Sequence, residues 1–167
     1  MPEQETLERA RQDERQGKSA STQAGEFVRE EMEHVREGKH GARSPQQAIA
    51  IGLSKARRAG IKLRPPSKGK ASAKTQAQAE RDYKKGQSSQ SHGVSPRRSR
   101  GVRRALKREG RQAASAAALG RHAVASARRR GSADLRRAAR QAAKTKGPQG
   151  RAQAARRAAR TRRTHAR

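Results

Sequence analysis

Cysteine and tryptophan are absent, and phenylalanine and tyrosine occur once each, as Phe27 and Tyr83. Without cysteine there is no disulfide, no thiolate nucleophile and no cysteine-based zinc site. With so few aromatic residues the chain nearly lacks the side chains that dominate core burial. It also lacks the stacking platforms on which single-stranded nucleic acid is usually held. No apolar run approaches the roughly 18 residues that mark a membrane span. The opening Met1-Pro2-Glu3-Gln4-Glu5 has no apolar stretch of the secretory kind, so a cytoplasmic location is expected. Zinc-protease, P-loop and serine-hydrolase signatures are missing as well. No catalytic residue, cofactor or small-molecule substrate is expected, and the chain reads as a non-enzyme.

Acidic residues nearly vanish after residue 37. Residues 1–37 hold 10 acids and 6 bases, a net of −4, whereas residues 38–167 hold 4 acids and 37 bases, a net of +33. Residues 97–167 alone carry 24 bases against 2 acids. A chain that is 34% charged and 30% apolar, much of it alanine, cannot offset its conformational entropy by burial along most of its length. The expected fold class is therefore mostly α with extensive disorder: a short helical hairpin and a basic Arg/Ala-rich tail.

Four segments follow from the pattern. Residues 1–19 form a polar arm, helical or disordered, with only Leu7 as an anchor. Residues 20–66 form the hairpin. Ser21 or Thr22 caps a first helix to about Glu37, with Ala24, Phe27, Val28, Met32 and Val35 on one face and Gly38 ending it. Ser44-Pro45-Gln46-Gln47 starts a second helix carrying Ala48, Ile49, Ile51, Leu53 and Ala56, with Gly60 and Ile61 forming a Schellman-type stop. About eight large apolar side chains are too few to hold some forty ordered residues, so a second copy of the hairpin or DNA itself is expected to complete it. Residues 67–96 read as a linker without structure, rich in Ser, Gly, Lys and Gln. Residues 97–167 are the tail. At its border with the linker Ser95-Pro96 opens a helical stretch to Leu119 before Gly120. Gly131-Ser132 restarts one to Lys144, and Gly147-Pro148 breaks it again.

Alanine and arginine both favour helix, yet arginines on adjacent turns repel one another. The tail is expected to be largely disordered when free and to gain helix on a polyanion. Its bases are the candidate nucleic-acid-binding residues. They are Arg97, Arg98, Arg100, Arg103, Arg104, Lys107, Arg108 and Arg111, then Arg128, Arg129 and Arg130, then Arg136, Arg137 and Arg140, and finally Arg156, Arg157, Arg160, Arg162 and Arg163, with Arg57 and Arg58 from the hairpin. Guanidinium groups suit phosphate oxygens, which they bind bidentately. A polybasic segment also suits anionic lipid, but Val102, Leu106, Leu119, Val124 and Leu135 are too few to anchor it, so no membrane partner is expected. A sequence-reading helix-turn-helix is disfavoured because the first helix is acidic and the connection long. Glu31-Met32-Glu33-His34 spells half of a bundle di-metal site, which needs a second copy and further glutamates, so no metal site is expected.

Phe27-Val28-Arg29-Glu30-Glu31-Met32, Gly38-Lys39-His40-Gly41 and the run Gln47-Ala48-Ile49-Ala50-Ile51-Gly52-Leu53-Ser54-Lys55-Ala56-Arg57-Arg58-Ala59-Gly60 resemble a family of small bacterial proteins of unknown function. Those pair a short "GK" turn with a "QAIAIALSEAR" helix. The resemblance covers residues 25–66 and implies a bacterial origin without supplying site residues. The tail is similar to bacterial histone-like proteins of the linker-histone kind in composition only. The reading that results is a nucleoid-associated protein that binds duplex DNA through phosphate contacts. Its alternatives are an RNA- or ribosome-associated stress protein, and a protein-interaction module localised by its tail.

Overall fold

Helix ends fall where side chains cap and glycines turn the backbone. The computed structural model describes residues 2–88 and 95–165. Among these it contains six α-helices and no strand: α1 (Gln4–Arg15), α2 (Ala20–Glu37), α3 (Pro45–Arg58), α4 (Ala73–Gln87), α5 (Pro96–Lys107) and α6 (Ala116–His165), with a 3-10 turn at Gln112–Ala114. They form two compact units, residues 1–122 and 123–167. Residues 89–94 of the expected linker, His92 among them, lie outside the described residues.

In the first unit α2 is the central helix. Its cap is Ser19, whose side chain accepts from the Thr22 amide, two or three residues before the expected Ser21 or Thr22. At its other end Gly38 takes the left-handed conformation at φ 78°, and the Gly38 and Lys39 amides close on Val35 and His34. Ser44 caps α3, accepting from the Gln47 amide with Pro45 in the first turn. Gly60, at φ 94°, closes α3, and the Ile61 amide reaches back 3.1 Å to the Ala56 carbonyl, the Schellman-type stop.

The apolar face of α2 divides into two clusters. Phe27 and Ala24 meet Ala10 of α1 and Ala56 of α3, with Leu7, Leu53, Ile61 and Leu63 around them. Met32 and Val35 meet Ala42, Ala48, Ala113 and Ala114, with Val28, Ile49 and Leu119 against them. Gly52 lets α2 and α3 approach closely. A Cβ there would lie 2.7 Å from the Val28 Cα and 2.9 Å from the Phe27 carbonyl oxygen.

The chain itself covers the hairpin, which changes the expected picture in three places. The arm takes the helical one of its two expected forms, as α1. What the pattern did not indicate is its packing on α2 through buried Thr6 and Ala10, with Arg9 reaching Glu26 at 2.8 Å. The stretch read as a structureless linker contains α4, capped by Ser72 and packed against α3 through Ala79 and Asp82. Its buried residues are Ala79 and Asp82, a small and a polar group, so hydrophobic periodicity does not reveal it. Ser54 donates to Asp82 at 2.6 Å, and Gly86 lies so close to α3 that a Cβ would sit 1.8 Å from the Arg57 carbonyl oxygen. Finally, the first part of the basic tail belongs to this unit. The Gly41 and Ala42 amides donate to the carbonyls of Leu106 and Gly110, and Arg36 Nε donates to the carbonyl of Ala114.

In place of the expected disorder, the tail is helical. Ser95 caps α5, which stops at Lys107 rather than Leu119. Ser115 then accepts from the Ala118 amide at the start of α6, which runs through Gly120 without a break. Within the second unit α6 leaves helical geometry at Gly131 (φ 74°) and Gly147 (φ 64°), the two interruptions expected there. Alanine-rich spacing gives these segments intrinsic helix propensity, which outweighs repulsion among arginines.

Candidate nucleic-acid interface

At about 3.6 residues per turn, Arg97, Arg100, Arg104, Lys107 and Arg108 align along one side of α5. No residue of α5 is buried, and its basic side chains are exposed. Arg111 follows beside the end of α2, its Cδ 3.4 Å from where a Cβ on Gly38 would be. In the second unit Arg136, Arg137, Arg140 and Lys144 fall on one face between the two glycine breaks, opposite Leu135, Ala138 and Ala142. Beyond Gly147, Arg156, Arg157, Arg160, Arg162 and Arg163 surround the helix. With Arg128, Arg129 and Arg130, they are all exposed. Residues 123–167 carry 15 bases against a single acid, Asp134, which pairs with Arg137 at 2.9 Å.

Two hairpin cations expected near DNA are placed differently. Arg57 is only 8% exposed, and its Nε donates to the Leu63 carbonyl at 3.2 Å. Burial lowers its pKa, opposed by Asp82. It fixes the turn after α3 and is withdrawn from the exposed set. Arg58 is exposed and lies 3.9 Å from Asp82.

Most acids of the N-terminal third make ion pairs within the first unit. Glu30 and Glu31 are fully buried on α2, and Lys55 of α3 reaches both, at 3.1 Å and 2.6 Å. Burial pushes the Glu30 carboxyl up. The Glu3 amide, the Lys55 ammonium and the Thr6 hydroxyl outweigh it and hold it below the ordinary carboxylate value. Burial likewise pushes Lys55 down, and Glu31 and Glu30 more than reverse it. Near the surface, hydrogen bonds from His34 and then Lys39 bring Glu3 down to about 2. His40 Nε2 lies 2.9 Å from Glu31, and the rings of His34 and His40 meet edge to face at 5.9 Å. Sequence reasoning missed this polar core. Glu30 and Glu31 counted only toward the acidic character of the first helix, and the arrival of Lys55 and His40 places both carboxylates in the interior.

Residues 15–68 match the model of DUF6496, a family of unknown function. The match spans α2, α3 and the turn between them, and contains the 25–66 stretch whose motifs suggested such a family. The covering elements α1 and α4 lie almost wholly outside it. No curated protein and no solved structure matches the chain. No described helix is long and apolar enough to cross a membrane.

Proposed function

We propose that this chain is a non-enzymatic nucleic-acid-binding protein of the nucleoid-associated, histone-like type, gripping the phosphate backbone of duplex DNA without sequence choice. The observation that carries this reading is the second unit, with its 15 bases, single acid and solvent-facing arginines along helical segments. A surface of that charge density gathers counterions or a polyanion, and phosphate contacts by Arg release the counterions condensed on DNA. The rarity of aromatic residues argues against base stacking. Six of the N-terminal acids, Glu3, Glu26, Glu30, Glu31, Glu33 and Glu37, are held in ion pairs within the first unit. The first unit then serves as a folded head, with α5 adding a second basic stripe.

A salt titration of duplex binding by the full chain, by fluorescence anisotropy, tests this. If about ten phosphates are neutralised, log K should fall with log[salt] at a slope near about −9. Removal of residues 123–167 should flatten the slope severely, and scrambled duplexes should bind equally. A flat slope would overturn the reading. Equal binding to duplex RNA at equal slope would assign polyanions in general rather than DNA.

A further inference from the structure

Glu31 and His34 lie one turn apart on α2, and His40 follows in the loop after Gly38. One donor atom from each lies within 4.8 Å of the others. We propose that these three side chains form a binding site for one divalent transition-metal ion of the Zn2+ class. The half-motif Glu-x-x-His that the sequence offered thus gains a third ligand from the loop instead of from a second copy.

Three observations point to a cation. The Glu31 carboxylate is 1% exposed, and neither of its oxygens has a hydrogen bond of acceptable geometry, although Lys55 and His40 lie close by. Lys55 offsets its charge, but buried carboxylate oxygens without hydrogen bonds remain costly. His40 Nδ1 faces the Gly41 carbonyl at 3.1 Å, where it must donate. With Nδ1 engaged there, Nε2 is the ring atom left to face Glu31 Oε1, 2.9 Å away. That placement presents one nitrogen and one carboxylate oxygen to a shared cation. A ligating histidine that donates its other ring N–H to a backbone carbonyl is also the usual outer-sphere arrangement of a metal centre. His34 has a matching partner, with its Nε2 2.8 Å from Glu3 Oε1. Four carboxylates (Glu3, Glu30, Glu31 and Glu37) share two ammonium groups (Lys39 and Lys55), so the cluster carries an excess of carboxylates.

Two imidazoles and one carboxylate suit Zn2+, Co2+, Ni2+ or Cu2+ rather than Mg2+ or Ca2+, which favour oxygen donors. Metal–ligand bonds of about 2.0–2.2 Å in a tetrahedral site put donor atoms about 3.4 Å apart. His40 Nε2 and Glu31 Oε1, now 2.9 Å apart, must therefore open slightly while wider donor pairs close, by side-chain rotation. Three protein ligands leave one position for water. The ion would tie the C-terminal end of α2 to the loop whose Gly41 and Ala42 hold residues 106–110.

The test uses the full chain, stripped of metal and titrated with Co2+ while its visible absorption is followed. One equivalent is expected to develop the d–d bands of a low-coordinate site, and stoichiometric Zn2+ should abolish them. His34→Gln and His40→Gln should each weaken binding at least about ten-fold, the lower bound set by losses at supporting residues alone. His92→Gln and His122→Gln should change nothing. Circular dichroism checks the fold of each variant. If a variant fails to fold, X-ray absorption of the Zn2+-loaded wild type decides, with two imidazoles and oxygen expected in the first sphere. No stoichiometric Co2+ spectrum, binding that survives both histidine changes, or a sphere without two imidazoles would overturn the proposal. A neutralising proton on histidine would then be the cation.

Discussion

Replacing Gly86 by alanine separates a docked α4 from a loose one, because the two cases give opposite signs. In a helix without tertiary contacts, alanine in place of glycine stabilises by about 1 kcal/mol. In the structure the new Cβ would lie 1.8 Å from the Arg57 carbonyl oxygen, 2.8 Å from its carbon and 3.1 Å from the Arg58 Cα. All three are backbone atoms, and ordinary carbon contacts begin at roughly 3.5 Å, so the end of α4 must retreat from α3. Retreat stretches the 2.6 Å bond from Ser54 to Asp82 and the 2.9 Å bond from Gln87 to the Gly60 carbonyl. A hydrogen bond to a charged group is worth about 1.5–3 kcal/mol and a neutral one about 0.5–1.5. After the helix-propensity gain is deducted, Gly86→Ala should destabilise the first unit by about 1–3 kcal/mol, in the range seen for overpacking. Urea unfolding of the full chain gives the magnitude, and amide exchange across residues 73–87 locates it, with protection falling there first. A variant as stable as wild type, or more so, with unchanged exchange would refute the docking of α4 on α3.

Other expectations follow from the same geometry. Gly41→Ala places a Cβ 1.8 Å from the Glu109 carbonyl oxygen, so it should free residues 106–114 from the hairpin and open them to limited proteolysis while α2 and α3 persist. Lys55→Met leaves Glu30 and Glu31 buried without their ammonium, and should cost about 3–5 kcal/mol in urea unfolding. Removing three phosphate contacts by Arg136→Gln, Arg137→Gln and Arg140→Gln together should make the salt slope of DNA binding shallower by about 2.7, with helicity by circular dichroism unchanged.

Much of the chain's layout was readable from local signals. Ser44-Pro45, Gly38 and Gly60 mark helix ends because capping and left-handed backbone depend on the residues at the end itself. For the same reason Gly131 and Gly147 interrupt the last helix where expected. The basic surface was legible too, since charge density needs no fold to be counted, and all but Arg57 of the candidate bases are exposed. Net charge and polarity gave the wrong expectation for order in the tail. They weigh burial against entropy, but alanine-rich segments can be helical through backbone propensity alone.

Tertiary structure decided what covers the hairpin and what fills its interior. Helix α4 packs through Ala79, Asp82 and Gly86, and small or polar residues give no hydrophobic period. Residues 106–119 dock by backbone hydrogen bonds, Ala113, Ala114 and the single Leu119, too little apolar sequence to form a recognisable period. Nothing local says that Glu30 and Glu31 turn inward, that Lys55 arrives from α3 to meet them, or that His40 joins Glu31 and His34. Those facts depend on the crossing of α2 and α3 at Gly52 and on the path of one short loop. The sequence by itself determined where helices begin and end and where the positive charge lies. Which polar groups share the interior was decided by contacts between residues distant in the chain, because a buried charge is tolerated only where a partner from another element meets it.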